Sequence, residues 1–377
     1  MLRIQLNYTF SQATARHLGN PLFDLLAAIR DSGSIRQAAA RLQLSYRHVW
    51  GELKRWEGLL GHPLIIWEKG RHARLTPFGD KLLWAEERAR ARIRPQIENL
   101  AAELESAFAV VFDDSAHVLT LAASHDLLLP RLKDLLATQG TILDLRNHGS
   151  LDALRELAAG RALLAGFHVS DEHPPGSLTA RTFKRLLTPG KHKLIDFARR
   201  RQGLMVARGN PQGIATLADL TRSGVTFVNR QPGSGTRIEF DQLLATTGIA
   251  PKSIHGYAVE ETTHLAVAAA VSAGAASAGF GIEAAAIEYG LDFVPVSQEH
   301  YFLVCLKETL DHPAVQRLIA TLQGSQWRGL AQSLPGYSAA EPGKIVSLTR
   351  ALPWYHYRKP KANSAGASPR LKALPAR

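Results

Sequence analysis

The sequence predicts a multidomain chain: a small helical module with a β-hairpin and a long helix, followed by an α/β domain. Three observations predict it. Apolar residues recur at helical spacing in short runs between residues 21 and 60. Two β-prone segments around a turn come next, and then a helix start at Thr76-Pro77. From Val118 onward, strand-like and helix-like segments alternate with short links, as in a parallel α/β fold. At 377 residues the chain is longer than one average domain. The expected division is an N-terminal arm (1–20), the helical module with its long helix (21–106), a linker (107–116), the α/β domain (117–339) and a basic tail (340–377).

The first helix is expected to begin at Pro21, which suits a first helical position, and to carry Leu22, Leu25, Leu26 and Ile29 up to Gly33. Ser34-Ile35-Arg36-Gln37 reads as a capping box for the second, whose Ala38, Ala39 and Ala40 allow close packing. Gln43-Leu44 is a break, and Ser45 caps a third helix running to about Leu60. Val49, Leu53, Trp56 and Leu60 form its apolar stripe, and Tyr46, Arg47, Trp50 and Lys54 its opposite face. A short helix, a tight turn and a second helix with a basic outer face make a helix-turn-helix pattern. On that reading Arg47 and Lys54 reach guanine edges or phosphates, Ser45 and Tyr46 reach the backbone, and Ser34 joins the candidate set. A merely solvated face, with Trp50 in the core, is the alternative.

PLIIW and ARLT are strand-like around the turn EKGRH, which makes a wing with Lys69, Arg71, His72 and Arg74 at or near its tip. Arginine there suits minor-groove or phosphate contact. The helix from Thr76-Pro77 is expected to reach about Ser106, with a kink at Arg94-Pro95. Such a long helix needs a partner, and a homodimer or higher oligomer is the natural reading.

Composition narrows the classes. With 45% hydrophobic and 21% charged residues, wholesale disorder, collagen and coiled-coil rods are excluded. No apolar run reaches the roughly 18 residues of a membrane span, and the first twenty residues hold no secretory h-region. The single cysteine, Cys305, precludes an internal disulfide and sits in the apolar YFLVCL. No membrane partner and a cytoplasmic location are expected. The net charge of +12 is unevenly placed. Residues 1–106 hold 16 Lys/Arg against 11 Asp/Glu, residues 107–339 hold 21 of each, and residues 340–377 hold 8 against 1. A neutral middle between basic ends suits a polyanion such as DNA. For the tail, a solubilising disordered extension is the alternative.

The run GSIRQAAARL, then LSYRHVW, LLGHPLI and LTPFG, resembles the winged helix-turn-helix of LysR-type regulators, and most of all the N-terminal domain of ModE-type regulators. The resemblance implies a recognition helix at Ser45–Leu60, a wing at Leu64–Leu75 and a double-stranded DNA operator as partner.

In an α/β fold ligands sit at the carboxyl ends of strands, against helix N-termini. The strand ends read Ser124-His125-Asp126, His148-Gly149-Ser150, Arg230 to Arg237 (RQPGSGTR) and Glu261-Thr262-Thr263-His264. Each Ser/Thr hydroxyl suits capping of its own helix, but four together suit an anion site. Gly233-Ser234-Gly235-Thr236 lets the backbone approach an oxyanion, with Arg230, and Arg237 as a further possibility, adding charge. The GxGxxA run at Gly279–Ala284 reads as close packing rather than a dinucleotide site, and no Walker A, HExxH, CxxC or GxSxG motif is present. Neither catalysis nor a coordinated metal cation nor a cofactor is expected. His125-Asp126 and Asp311-His312 read as surface or capping pairs, and His168 as facing the cleft, the rim or the core.

FVNRQPGSGTR and AVAAAVSAGAASAGFGIEAAA resemble the type II periplasmic-binding-protein fold, in particular the PBP-like domain fused to ModE-type DNA-binding domains. The resemblance implies two lobes, one of residues 117–200 and 286–339 and one of 201–285. It implies a tungstate or molybdate oxyanion held by Ser124, Ser150, Arg230 and Thr236, with His125, Ser234, Gly235 and Thr263 nearby. The implied function is a regulator whose DNA affinity follows anion-driven lobe closure. A molybdenum-pterin species or another small anion is the alternative ligand, and an enzyme on the α/β scaffold or a nucleoid-type binder the alternative function.

Overall fold

The computed structural model describes residues 20–67, 72–112, 117–171 and 174–355. α1 (Pro21–Ser32) starts behind Asn20, whose side chain accepts the Leu22 N–H, and stops at Gly33 with φ 63°. α2 (Ile35–Arg41) is capped by Ser34 and α3 (Tyr46–Leu60) by Ser45, each accepting a backbone N–H three residues on. β1 (Ile65–Ile66) and β2 (Arg74–Leu75) pair antiparallel as the wing. The wing tip, with Lys69 and Arg71, lies outside the described residues. Leu22, Leu25, Leu26, Ile29, Val49 and Leu53 share a core with Leu83, while Trp56 and Leu60 are only partly buried at its edge.

Leu83 belongs to α4 (Pro77–Phe112), a single helix of 36 residues. The helix is not interrupted at Pro95. One boundary is corrected: it continues to Phe112, so residues 107–112 of the expected linker are helical. A proline removes one N–H from the ladder and leaves the carbonyl four residues back without its usual donor. In this chain that carbonyl belongs to Ala91, and it accepts a hydrogen bond from Thr263 Oγ1 at 3.4 Å. A donor from the second domain thus serves the group that the proline orphans.

The second domain alternates β3 (His117–Ala123), α5 (Leu129–Ala137), β4 (Thr141–Asn147), α6 (Ser150–Ala158), β5 (Leu164–Ser170) and α7 (Leu178–Phe183). Then come β6 (His192–Val206), β7 (Phe227–Arg230), α8 (Gly235–Thr247), β8 (Glu260–Glu261), α9 (His264–Ser272), β9 (Ala278–Ile282) and α10 (Glu283–Glu288). β10 (Asp292–Leu306), α11 (Pro313–Gln323), α12 (Ser325–Gln332), β11 (Tyr337–Ser338), β12 (Ile345–Ser347) and α13 (Leu348–Ala351) complete it. The strand order is β4-β3-β5-β10-β6-β9-β7-β8.

The sheet is mixed rather than parallel throughout. β3, β4 and β5 pair in parallel at one end and β7, β8 and β9 at the other, while β6 and β10 run antiparallel to each other between them. These two strands, of 15 residues each, pass through both lobes. Residues 292–295 of β10 still pair with 203–206 beside β9, and residues 299–304 pair with β5. The return to the first lobe therefore falls within β10, between Pro295 and Glu299 near its first register shift, rather than at about 286.

The expected tail is corrected too. Residues 340–355 fold back on the first lobe: β12 pairs with β6, and Leu348, Leu352, Trp354 and Tyr355 enter its core. Only its later part, with Arg358-Lys359-Pro360-Lys361, lies outside the described residues, as do residues 1–19 of the expected arm. Gly279 and Gly281 are close-packing positions in β9. A Cβ on either would sit 2.3 Å from Val267 or 2.8 Å from Met205.

Candidate functional site

The carboxyl ends of β3, β4, β5 and β7 turn toward one cleft. Ser124 follows β3, Ser150 opens α6 after β4, His168 lies near the end of β5, and Arg230 ends β7. All four are buried. Across the cleft, Gly235 and Thr236 open α8 and His264 opens α9. The lobes meet at glycine. A Cβ on Gly149 would lie 3.2 Å from the Gly233 carbonyl oxygen, and one on Gly235 would lie 3.0 Å from Ser150 Oγ.

Capping separates the serines and threonines from one another. Ser234 Oγ accepts the Arg237 N–H at 3.2 Å and donates to the Gln231 carbonyl, so it is a helix cap. Thr263 Oγ1 accepts the Ala266 N–H at 2.9 Å and donates to Ala91, so it too is committed. Ser124, Ser150 and Thr236 cap nothing. Ser124 Oγ bonds His168 Nε2 at 2.6 Å, and Thr236 Oγ1 lies 3.4 Å from His264 Nε2 and accepts from Gln202 at 3.5 Å. Ser150 Oγ is buried without a protein partner. The capping alternative thus holds for Ser234 and Thr263, whose hydroxyls are not presented to the cleft.

Arg230 carries the charge of the site. Its Nη2 donates to the Thr262 carbonyl at 3.0 Å, while Nε and Nη1 are buried without a protein partner. Burial, and then the nearby Arg200 charge, pull its pKa down to about 9, against the opposing pull of Glu299. Arg237 is turned away, bonded to Asp241, Glu260 and the Arg230 carbonyl, with its guanidinium over Tyr257.

Sequence reasoning missed Arg200. It is fully buried in β6, bonded to both Asp126 and Glu299, and lies over the Tyr301 ring. Alternation along the strand sends only the middle member of Arg199-Arg200-Arg201 inward. Asp126, read as a surface or capping residue, caps the Leu128 N–H at 2.8 Å and is also buried against Arg200 and Tyr337. His312 is a cap as expected, accepting the Ala314 N–H at 3.2 Å. His168 and His264 are buried, and burial followed by the Arg200 and Arg230 charges holds both well below the ordinary histidine value. This favours the neutral imidazole, which has one N–H to give.

An open cavity of about 150 Å³ extends from Ser124, His125 and Arg230 to the long helix, where Arg92, Gln96 and Asn99 line it. Two ties flank it. Glu261 is buried and accepts from Arg88 at 2.8 Å and from Arg92 at 2.6 and 2.7 Å. Asn99 exchanges hydrogen bonds with the Asn147 backbone at the end of β4, at 2.6 and 3.2 Å. His125 Nε2, buried, lies 3.8 Å from Glu98 of the same helix, and burial lowers its pKa.

On the N-terminal module, Tyr46, Arg47, Lys54 and Arg74 are exposed. Tyr46 stacks on Trp50, Trp50 meets Trp67 edge-on, and Lys54 lies over Trp50 while paired with Glu57 at 2.8 Å. Trp50 is thus half-buried in an aromatic ridge on the outer face, not in the core. Ser34 and Ser45 each accept one backbone N–H as helix caps. Among the described residues no cluster of His, Cys, Asp or Glu suits a metal ion, and no helix is long and apolar enough to cross a membrane.

A winged helix-turn-helix is joined by a long helix to a two-lobed α/β domain with a polar cleft. The family model described as PBP superfamily domain matches residues 133–323, just over half of the chain, and the chain belongs to that superfamily. The model described as bacterial regulatory helix-turn-helix protein, lysR family, matches residues 17–80.

The chain is 33% identical over 201 residues to the uncharacterized protein YvgK of Bacillus subtilis (strain 168), covering 53% of this chain and 64% of that one. It therefore spans just under two thirds of that relative. It is 35% identical over 111 residues to an uncharacterized protein from the ferredoxin 2Fe-2S gene 5' region of Clostridium pasteurianum, covering 29% of this chain and 98% of that one. Among solved structures it is similar to the full-length LTTR LysG from Corynebacterium glutamicum with bound effector Arg (18% identity, 80% and 96% of the two chains, TM-score 0.38). It is also similar to a putative phosphate ABC transporter substrate-binding protein with bound phosphate from Clostridium perfringens (12%, 60% and 100%, TM-score 0.47).

Proposed function

We propose that this protein is a ligand-responsive DNA-binding regulator that senses a small oxyanion, tungstate or molybdate before others, in the cleft between its lobes. The observation that carries the reading is Arg230. A buried guanidinium with two N–H-bearing nitrogens lacking a protein partner is costly unless an acceptor meets them. Glu299, whose charge acts on it, is bonded to Arg200 instead, and Glu261, its partner in β8, to Arg88 and Arg92. Ser124 shares the cavity lining with Arg230, and Ser150 Oγ at the start of α6 meets Gly235 at the start of α8 across the lobes; with Thr236 beside it, these hydroxyls and helix N-termini would favour an anion. The winged module would bind a double-stranded operator through Arg47, Lys54 and Arg74. The exposed Leu100 and Leu104 of α4, 53% and 36% accessible, suit a homodimer or higher oligomer.

One observation favours a larger ligand. The cavity continues outward from Arg230 past Asn147 and Gln231, and Gln231 Oε1 is buried without a partner. An amide-edged chamber suits a hydrogen-bonding organic group attached to the anion, as in a molybdenum-pterin species.

Calorimetric titration with tungstate, molybdate, sulfate and phosphate tests the reading, with Arg230→Gln as control. Binding of tungstate or molybdate that is lost in Arg230→Gln supports it. No heat from any of the four removes the simple oxyanion and leaves the organic anion.

A further inference from the structure

We propose that α4, the helix that carries the DNA-binding module, is itself the third wall of the ligand cavity, clasped to one lobe through Glu261 and to the other through Asn99. The inference rests on the reading of the cleft as a ligand site and adds a wall that neither lobe supplies.

The argument begins in the sequence of the helix. Arg88, Arg92, Pro95, Gln96 and Asn99 recur at spacings of three and four, so they share one face. That face lies against both lobes. Arg88 and Arg92 converge on the carboxylate of Glu261, whose side chain is 0% exposed. A buried carboxylate needs such partners, because an unpaired one is strongly disfavoured. The helix therefore stabilises the second lobe in the conformation that presents Glu261. One turn on, Pro95 leaves the Ala91 carbonyl open to Thr263, the cap of α9. A further turn on, Asn99 offers its amide to both backbone groups of Asn147, completing the end of β4 in the first lobe. Between these grips Arg92, Gln96 and Asn99 face the cavity that leads to Arg230.

A helix is stiff, and the seven rises from Arg92 to Asn99 span about 10.5 Å. Both grips hold only while the lobes stand at the spacing set where Gly149 meets Gly233. When the lobes separate, one grip must release, and the cavity loses its outer wall. Ligand seating and helix seating are then two aspects of one equilibrium, and each strengthens the other by the same factor.

The test uses the full chain with a reporter thiol, His148→Cys, placed at the cavity lining; the native Cys305 is buried and serves as the slow reference. The labelling rate of this thiol is measured alone, and with Glu261→Gln or Arg88→Gln added. The wall predicts at least ten-fold faster labelling when the clasp is broken, though neither Glu261 nor Arg88 lines the cavity. Arg88→Gln decides the matter if Glu261→Gln unfolds, since Arg88 is partly exposed. Unchanged labelling in the folded variants overturns the proposal. Saturating tungstate is then added to the parent. Slower labelling supports a ligand trapped behind the helix, and heat of tungstate binding without slower labelling counts against the wall. No heat and no slowing, with acceleration by the clasp variants, overturns the oxyanion reading while the wall stands.

Discussion

Gly235 and His168 stand on opposite lobes, and a Cβ built on Gly235 would lie 2.8 Å from Cδ2 of the imidazole ring. The ring has nowhere to go, since its Nε2 is bonded to Ser124 and its edge meets Tyr301 at 4.3 Å between centroids. Gly235→Ala is therefore expected to wedge the cleft open by a few tenths of an ångström. Anion binding should weaken at least ten-fold, about 1.4 kcal/mol, with thermal stability little changed. Wild-type affinity in the calorimeter would show that closure at this point does not matter.

The two arginines that flank the glycine-rich turn are expected to part company. Arg230→Gln should abolish anion binding, because its two unbonded nitrogens are the charged donors of the cleft. Arg237→Gln should leave binding within a few-fold and instead lower the melting temperature. Its guanidinium pairs with Asp241 one turn along α8 and ties the helix to Glu260 and Tyr257. Paired titration and melting curves separate these outcomes, and the reverse pattern would reassign the charge.

Stability is expected to fall on mild acidification. His168 and His264 lie well below the ordinary histidine value of 6.5 because they are buried, and next because Arg200 and Arg230 repel a proton. Between the folded and unfolded values the unfolded chain binds more protons, so protons favour unfolding. This contribution is fully present above the unfolded value and is lost as pH falls below it and through the depressed folded values. Melting temperatures at about pH 7.5 and 5.5 should show the drop. The drop should shrink in His264→Gln, and an equal drop in the variant would mean that other groups are responsible.

Arg47 and Lys54 make different predictions for DNA. Lys54 is already engaged by Glu57 and Trp50, whereas Arg47 is exposed on the outward face. Arg47→Ala is expected to cost about 1–3 kcal/mol at one base position if it reads a base edge. If it holds a phosphate, the salt slope should fall by about one instead. Operator titrations at several salt concentrations distinguish the two, and no effect of either kind removes Arg47 from the interface. Lys54→Ala should do less than Arg47→Ala in either case.

Trp354 tests the folded part of the chain's end. At 2% exposure in the first-lobe core, its replacement by alanine is expected to destabilise by about 3–5 kcal/mol. A change below about 1 kcal/mol in denaturant unfolding would return this segment to the status of a surface extension.

Much of this architecture was readable from periodicity. The stripe Leu22, Leu25, Leu26 and Ile29 and the caps Ser34 and Ser45 are local signals, and local signals survive folding. β6 was not readable in its first half, because HKLIDFARRRQ puts four Lys/Arg among its apolar residues and its charge hides a strand. Arg200 is inward only because Asp126 and Glu299, 74 and 99 residues away, come to meet it. Ser234 and Ser150 look alike in sequence, yet one caps a helix and the other does not, since only the backbone geometry of each turn sets them apart. The wall formed by α4 is likewise a long-range fact: Arg92 reads as a solvated charge until Glu261 is beside it.

The unbroken passage of α4 through Pro95 has a mechanical consequence. From Ala91, where Thr263 grips it, to its start at Pro77 the helix is a rigid arm of about 21 Å. A tilt of roughly 10° at the grip swings the far end by about 3.6 Å, close to the 3.4 Å rise of one base pair along DNA. A sub-ångström adjustment around an anion can therefore be geared up into a one-step shift in where the recognition helix falls along the groove.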